Sequence, residues 1–241
     1  MKRLAPLFFL LAPLMIHAQS GILKKMHDTY AGKWHKTFSF QQETKFYRND
    51  SLVRTETWNE FLRFPYELRI DMGDREKGAG VIYKKDSTYR FQGGKIRSVG
   101  TDHNPFLFLI GGMYMMPYDS IPAYLKRQGY DMEKSHQAVW KGRPVTVVGA
   151  LAGDTLSNQL WIDNQDLYLV RMIEKLPQSQ LDVHMTEQVK IGKGWTETFV
   201  LIYTNGKLRQ TEKYHRLSAD VALPDAVFDP AMYIESYKYP L

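Results

Sequence analysis

The sequence predicts a mainly β protein with a few helices, built on an antiparallel sheet or barrel of about eleven strands. Three observations carry that prediction. Period-two alternation begins at Thr37 and recurs as far as Leu217, turn signals separate the alternating runs, and helical spacing is confined to short segments.

The chain opens on MKRLAPLFFLLAPLMIHAQS, which reads as a secretory signal: Lys2 and Arg3 form the basic start and Leu4 to Ile16 the apolar middle. Cleavage after Ala18 leaves Gln19 as the new terminus, with residues 1–18 removed and 19–241 forming a single domain. The apolar middle is short for a spanning anchor and contains Pro6 and Pro13. From Gly21 to Lys36, Ile22, Leu23, Met26, Tyr30 and Trp34 share one helical face.

At Thr37 the period becomes two. Phe38, Phe40, Thr44 and Phe46 lie to one side, and Asn49-Asp50-Ser51 turns the chain into a second strand with Trp58, Leu62 and Phe64 in phase. After Pro65, Tyr66, Leu68, Ile70 and Met72 alternate with Glu67, Arg69 and Asp71. Short strands follow at 80–84, 87–92 and 95–99, then an apolar run and a short helix expected from Ser120, its N-cap, to a stop at Gly129. Strand pattern resumes at 131–140, 144–151, 156–162, 167–176, 183–191, 197–203 and 207–217, with hairpin signals at Asp163-Asn164-Gln165-Asp166 and Asn205-Gly206. No repeat, low-complexity tract or linker interrupts this order.

The apolar run is NPFLFLIGGMYMMP, Asn104 to Pro117, without a charge and with Gly111 and Gly112 in its middle. It is too short for a membrane span, which needs ~20 apolar residues. Core element and movable cover both remain open for it. A membrane β-barrel fits poorly, because 207–217 and 133–136 carry charges in both strand phases.

The sequence contains no cysteine, which excludes disulfides, thiol chemistry, cysteine-ligated zinc and a lipid anchor at the cleavage site. Formal charge is +6, or +4 once Lys2 and Arg3 leave with the signal, and it is spread along the chain. Nothing in it forms a nucleic-acid stripe. The mature histidines, His27, His35, His103, His136, His184 and His215, stand at no metal-ligand spacing and read as surface side chains. No GxSxG elbow or phosphate loop occurs, and Gly78-Ala79-Gly80 reads as a hairpin turn. Asp71, Asp74 and Glu76 read as solvated carboxylates near a turn, although a carboxylate pair from distant strands is open to any sheet protein. No metal, cofactor or catalytic residue is therefore expected. The wide apolar face of Phe38, Phe40, Trp58, Phe64, Leu68, Ile70 and Met72 fits either an ordinary core or a ligand cavity, and Met113, Met115 and Met116 add adaptable surface.

The order of these parts is similar to the outer-membrane lipoprotein carrier family, the LolA-like and LolB-like proteins. An amphipathic helix leads into SFQQETKF, a strand ends in RFPYELRID, and a glycine-bounded hairpin precedes an NPF segment. QLWIDNQDLYLVRMIEKL and the terminal LPDAVFDP complete the likeness, which spans roughly Ile22 to Pro230. The resemblance implies a half-open, strongly curved antiparallel barrel, closed by an N-terminal helix and lid helices around an apolar cavity for acyl chains. On that basis the sheet residues Phe38, Phe40, Trp58, Leu62, Phe64, Leu68, Ile70 and Met72 and the lid residues Phe106, Leu107, Leu109, Ile110 and Met113 line the cavity. The implied protein is an exported, soluble, monomeric periplasmic carrier of lipoprotein acyl chains or free lipid, served by a membrane-bound donor and acceptor. A sensor or binding module for lipidated ligands is the alternative, and a hydrolase the third. One departure stands out. The family commonly has an arginine directly before the proline of RFP, where it latches the lid; here Phe64 holds that position, and Arg63, one residue earlier and in the opposite strand phase, is the available latch.

Overall fold

The computed structural model describes residues 21–102 and 104–238. The expected signal at 1–18, the new terminus at Gln19, and His103 lie outside those residues. Helix α1 (Gly21–Tyr30) stops before Gly32, whose φ of +72° favours glycine. Trp34, expected on the helix, instead lies beyond it and still reaches the core.

Six strands follow: β1 (Thr37–Arg48), β2 (Ser51–Arg63), β3 (Glu67–Met72), β4 (Gly80–Lys84), β5 (Ser87–Gln92) and β6 (Lys95–Gly100). Helices α2 (Pro105–Leu109) and α3 (Ser120–Arg127) flank a 3-10 turn at Gly112–Met115. The second half comprises β7 (Asp131–Trp140), β8 (Arg143–Gly149), β9 (Gln159–Asp163), β10 (Leu169–Leu176), β11 (Ser179–Thr186), β12 (Val189–Ile191), β13 (Gly194–Thr196), β14 (Phe199–Thr204) and β15 (Lys207–Ala219).

Thirteen of these strands form one antiparallel sheet in the order β6-β5-β4-β3-β2-β1-β15-β14-β11-β10-β9-β8-β7. The first half of the chain meanders outward from β1 and the second half from β15, and the β1–β15 pair joins them at the centre. The sheet is curved and its edge strands β6 and β7 do not pair, so it is an open sheet, not a closed barrel. The predicted turns hold. Asn49 and Asp50 both have positive φ at the β1–β2 hairpin, as do Asn205 and Gly206 at β14–β15. The Asp163 carboxylate accepts from the backbone N–H groups of Gln165 and Asp166, closing the β9–β10 turn.

Several expectations are corrected. The strands number fifteen among the described residues, against about eleven expected. The run expected at 183–191 breaks at Glu187, a positive-φ residue, into β11 and β12, and β12 pairs with β13 in a small hairpin. Asp119, not Ser120, holds the cap position of α3, and the Ser120 hydroxyl donates to Pro117 O at 2.7 Å. Gly129 ends α3 with a φ of +85° as expected. The apolar run 104–117 forms a five-residue helix and a 3-10 turn, since the glycine pair interrupts the α-helical path.

The main core fills the concave face of the sheet, beneath α1 and the 104–117 segment. Met113 belongs to it at 1% exposure, so it is packed interior instead of adaptable surface. The convex face of β3 carries Arg69 and Asp71, both fully buried. Arg69 Nε donates to Asp71 Oδ1 at 2.8 Å, and its other nitrogens bond the C-terminal segment at Val227 O, Tyr233 O and Ser236 Oγ. Asp71 is thus no solvated turn carboxylate; residues 225–238 fold back over it.

Candidate functional site

Register along the central strands explains what faces the concave side. Phe40 pairs with Glu60 across β1–β2 and Glu60 with Ile70 across β2–β3, while Gln42 stands between Trp58 and Tyr214. Each such row presents its side chains on one face. Above these rows a cavity of about 200 Å³ separates sheet from lid.

Phe40, Trp58, Leu62, Leu68 and Ile70 line it from the sheet, and Phe106, Leu107 and Ile110 from the lid. Five of the expected residues do not border it. Phe38 is buried in the core at 1% exposure, Met72 packs at the core's margin, and Met113 is interior. Leu109 borders a small void with Leu125 and Tyr130. Phe64 presses on the lid: a Cβ placed on Gly111 would sit 2.4 Å from Phe64 Cζ.

A second recess of about 350 Å³ lies on the outer side of the lid, between Pro65, Tyr66 and Tyr83 and the lid residues Phe108 and Met116. Asn104 and Leu107 line both spaces, so one short piece of chain forms the partition. Asn104 starts that piece, its side chain accepting from Phe106 N at 2.9 Å.

The lid is fastened mainly by rings. Tyr114 meets Trp34 at 4.3 Å between centroids and Tyr30 at 5.5 Å, and Phe108 stacks on Tyr124 at 4.0 Å. His27 Nε2 donates to Met116 O at 2.9 Å. His27 and His35 are both buried, contrary to the surface reading. Arg63, the expected latch, lies on the convex side. It bonds Glu67, Leu223 O and Asp225 and covers the Phe228 ring, so its contacts fasten the C-terminal segment.

Sequence reasoning missed the polar part of the cavity. Glu60, Glu197 and Glu212 line it together with Gln210 and Tyr214. Burial raises the pKa of all three glutamates, that of Glu197 to about 7, and each is raised further by at least one neighbouring carboxylate or, for Glu212, opposed by donors from Tyr214, Gln210 and Gln42. Two of them were visible in principle. Glu60 shares the alternation of Trp58 and Leu62, and Glu212 that of Gln210 and Tyr214. Glu197 was expected to open a strand at 197–203, but it lies between β13 and β14, outside any strand.

A curved open sheet with helices across its concave face and a space between them defines a class: the fold is the LolA-like one. Three solved structures carry the likeness. A DUF1329 family protein from Desulfovibrio piger aligns with a TM-score of 0.59 at 12% identity, over 89% of this chain and 97% of its own. A LolA superfamily protein from Nitrosomonas europaea aligns at 0.56 and 10% identity, over 88% and 97%. A domain described as an outer membrane lipoprotein-sorting protein, from Vibrio parahaemolyticus, aligns at 0.60 and 9% identity, over 90% and 98%. No family model and no curated protein matches the sequence. Among the described residues no helix is long and apolar enough to cross a membrane.

Proposed function

We propose that this protein binds an acyl chain in the space between sheet and lid and carries it, as an exported periplasmic protein without catalysis, toward the outer membrane. The observation that supports the reading best is the partition. Small-molecule sites usually enclose ~300–1,000 Å³. The inner cavity alone, at about 200 Å³, falls short of that range, whereas inner and outer spaces joined fall within it. Displacing Asn104 and Leu107 joins them, and a segment interrupted by Gly111 and Gly112 is suited to such a movement.

Burial of the chain against Phe40, Leu62, Leu68 and Ile70 supplies the binding energy, at ~25 cal/mol per Å² of apolar surface. The cargo is the acyl part of a lipoprotein or a free lipid, delivered between a membrane donor and an acceptor by a monomer. Residues 1–18 direct export. A sensor of lipidated ligands would use the same cavity without transfer.

Purification from the native host followed by mass spectrometry of bound molecules tests this reading. A bound lipoprotein supports the carrier, and free lipid alone favours the sensor. A protein that retains nothing apolar and fails to bind a fluorescent acyl probe in vitro sinks both.

A further inference from the structure

The inner cavity has too many acceptors and too few donors. Tyr214 OH and Gln210 Nε2 both donate to Glu212, at 3.0 and 2.6 Å. Trp58 Nε1 donates to Glu56 Oε2 at 2.8 Å, and Gln42 Nε2 to Thr44 Oγ1 at 2.8 Å. These four donors are therefore engaged; the Asn104 amide lines the cavity as well, its Oδ1 accepting from Phe106 N, and acceptors outnumber donors in the lining. Glu197 is 6% exposed and lines the cavity, and among the described residues no other residue donates a hydrogen bond to its carboxylate. Glu60 lines the same space, and among the described residues none donates to its carboxylate either. Independently of the carboxylates, Gln42 is fully buried in the row between Trp58 and Tyr214, and its Oε1 has no partner. Among the described residues no lysine, arginine or histidine forms an ion pair with Glu60, Glu197 or Glu212.

A buried acceptor without a donor, as at Gln42 Oε1, is destabilising, and beside two carboxylates that receive no donor it points to a missing donor. Among the described residues no group of three or more His, Asp or Glu side chains is placed to hold a metal ion. An ammonium group offers three donors and no acceptor, and a positive charge that lets neighbouring carboxylates ionise together. The apolar wall of Leu62, Leu68, Ile70, Phe106 and Ile110 continues directly from the acidic end.

We propose that the acidic end of this cavity binds a protonated primary amine carried on an apolar chain, Glu60 and Glu197 holding the ammonium while the chain lies along the wall. The inference rests on the acyl-binding reading and narrows it to amine-headed amphiphiles, as opposed to anionic or neutral ones.

Isothermal titration of the purified protein near neutral pH with decylamine, decanol and decanoate separates the two readings. Decylamine is expected to bind at least about tenfold tighter than decanol, the gain of a charge-assisted over a neutral hydrogen bond, with decanoate weakest. In the Glu60→Gln/Glu197→Gln double variant the ratio of amine to alcohol affinity is expected to fall to about one. If decanol binds and decylamine binds no tighter, the amine inference is wrong while the acyl cavity stands. Persistence of the preference in the double variant also overturns it, because the amine is then held elsewhere. If none of the three binds the unaltered protein, the acyl-binding reading fails and this inference with it.

Discussion

Phe64 and Gly111 are shaped to each other: the ring occupies the space that any side chain at Gly111 would need, at 2.4 Å from a built Cβ. The φ of Gly111 is −178°, an extended value open to every residue, so close approach and not backbone conformation requires the glycine. In the family resembled by the sequence, the position before the proline commonly holds an arginine that latches the lid. Here an aromatic ring stands there and touches the lid by packing.

Replacing Gly111 with alanine therefore forces the ring or the lid to move. Overpacking of this kind costs ~1–3 kcal/mol. Gly111→Ala is expected to lower thermal stability and to speed amide exchange within 104–117. Adding Phe64→Ala should restore part of both, since the two changes share one contact. Strictly additive effects of the two substitutions would show that the contact does not hold the lid.

Leu107 borders both spaces and is buried at 8% exposure. Leu107→Ala removes most of the partition at a stability cost of ~2–5 kcal/mol, the range for such truncations. Affinity for long acyl chains is expected to rise relative to short ones, because the enlarged space accepts more methylenes. Titrations with a chain-length series check this, and an unchanged length preference would mean that the spaces do not join. By contrast Leu68→Glu, which places a charge on the sheet at a 2% exposed site, is expected to unfold the protein.

How much of this was legible depended on whether the signal was local. The hairpins at Asn49-Asp50, Asp163 to Asp166 and Asn205-Gly206 announce themselves, because positive φ and side-chain capping are local demands with local residues. The alternation through Trp58, Leu62, Leu68 and Ile70 likewise gave the concave face. Its blind side was Glu60, which stands in the same phase and was passed over because a carboxylate does not advertise an apolar cavity. The burial of Arg69 and Asp71 was out of reach, since it depends on Tyr233 and Ser236, more than a hundred residues away in sequence. The role of Arg63 turned on the same distant segment.

Removing Arg63 is accordingly expected to loosen the C-terminal segment and leave the lid in place. Its bonds to Asp225 and Leu223 O are partly exposed, so Arg63→Ala should cost no more than ~1 kcal/mol. Limited proteolysis or amide exchange should show faster opening at 223–229 and no change at 104–117. Faster exchange in the lid, with the C-terminal segment protected, would restore Arg63 as a latch.

Acidification acts on the fold through two buried groups of opposite sign. His35 is 2% exposed, with Trp34, Phe38 and Phe64 rings 5.1 to 5.7 Å away and no partner for Nδ1. Burial pushes its pKa down to about 4 from 6.5, against a weak opposing pull from Asp220. Between those values the unfolded chain holds a proton that the folded chain lacks, so the His35 contribution is present above 6.5 and lost as pH falls toward 4. Glu197 behaves inversely. Its folded pKa of about 7 lies above the ordinary 4.5, so the folded chain holds the extra proton. That contribution is complete below 4.5 and is lost as pH rises through about 7, with Glu60 and Glu212 shifted in the same direction. Melting temperatures at about pH 7 and about pH 5 separate the two in variants that remove one group each. On acidification His35→Phe is expected to gain stability relative to the unaltered protein, and Glu197→Gln to lose it. Parallel shifts in all three proteins would mean that neither group is buried in the state assigned to it.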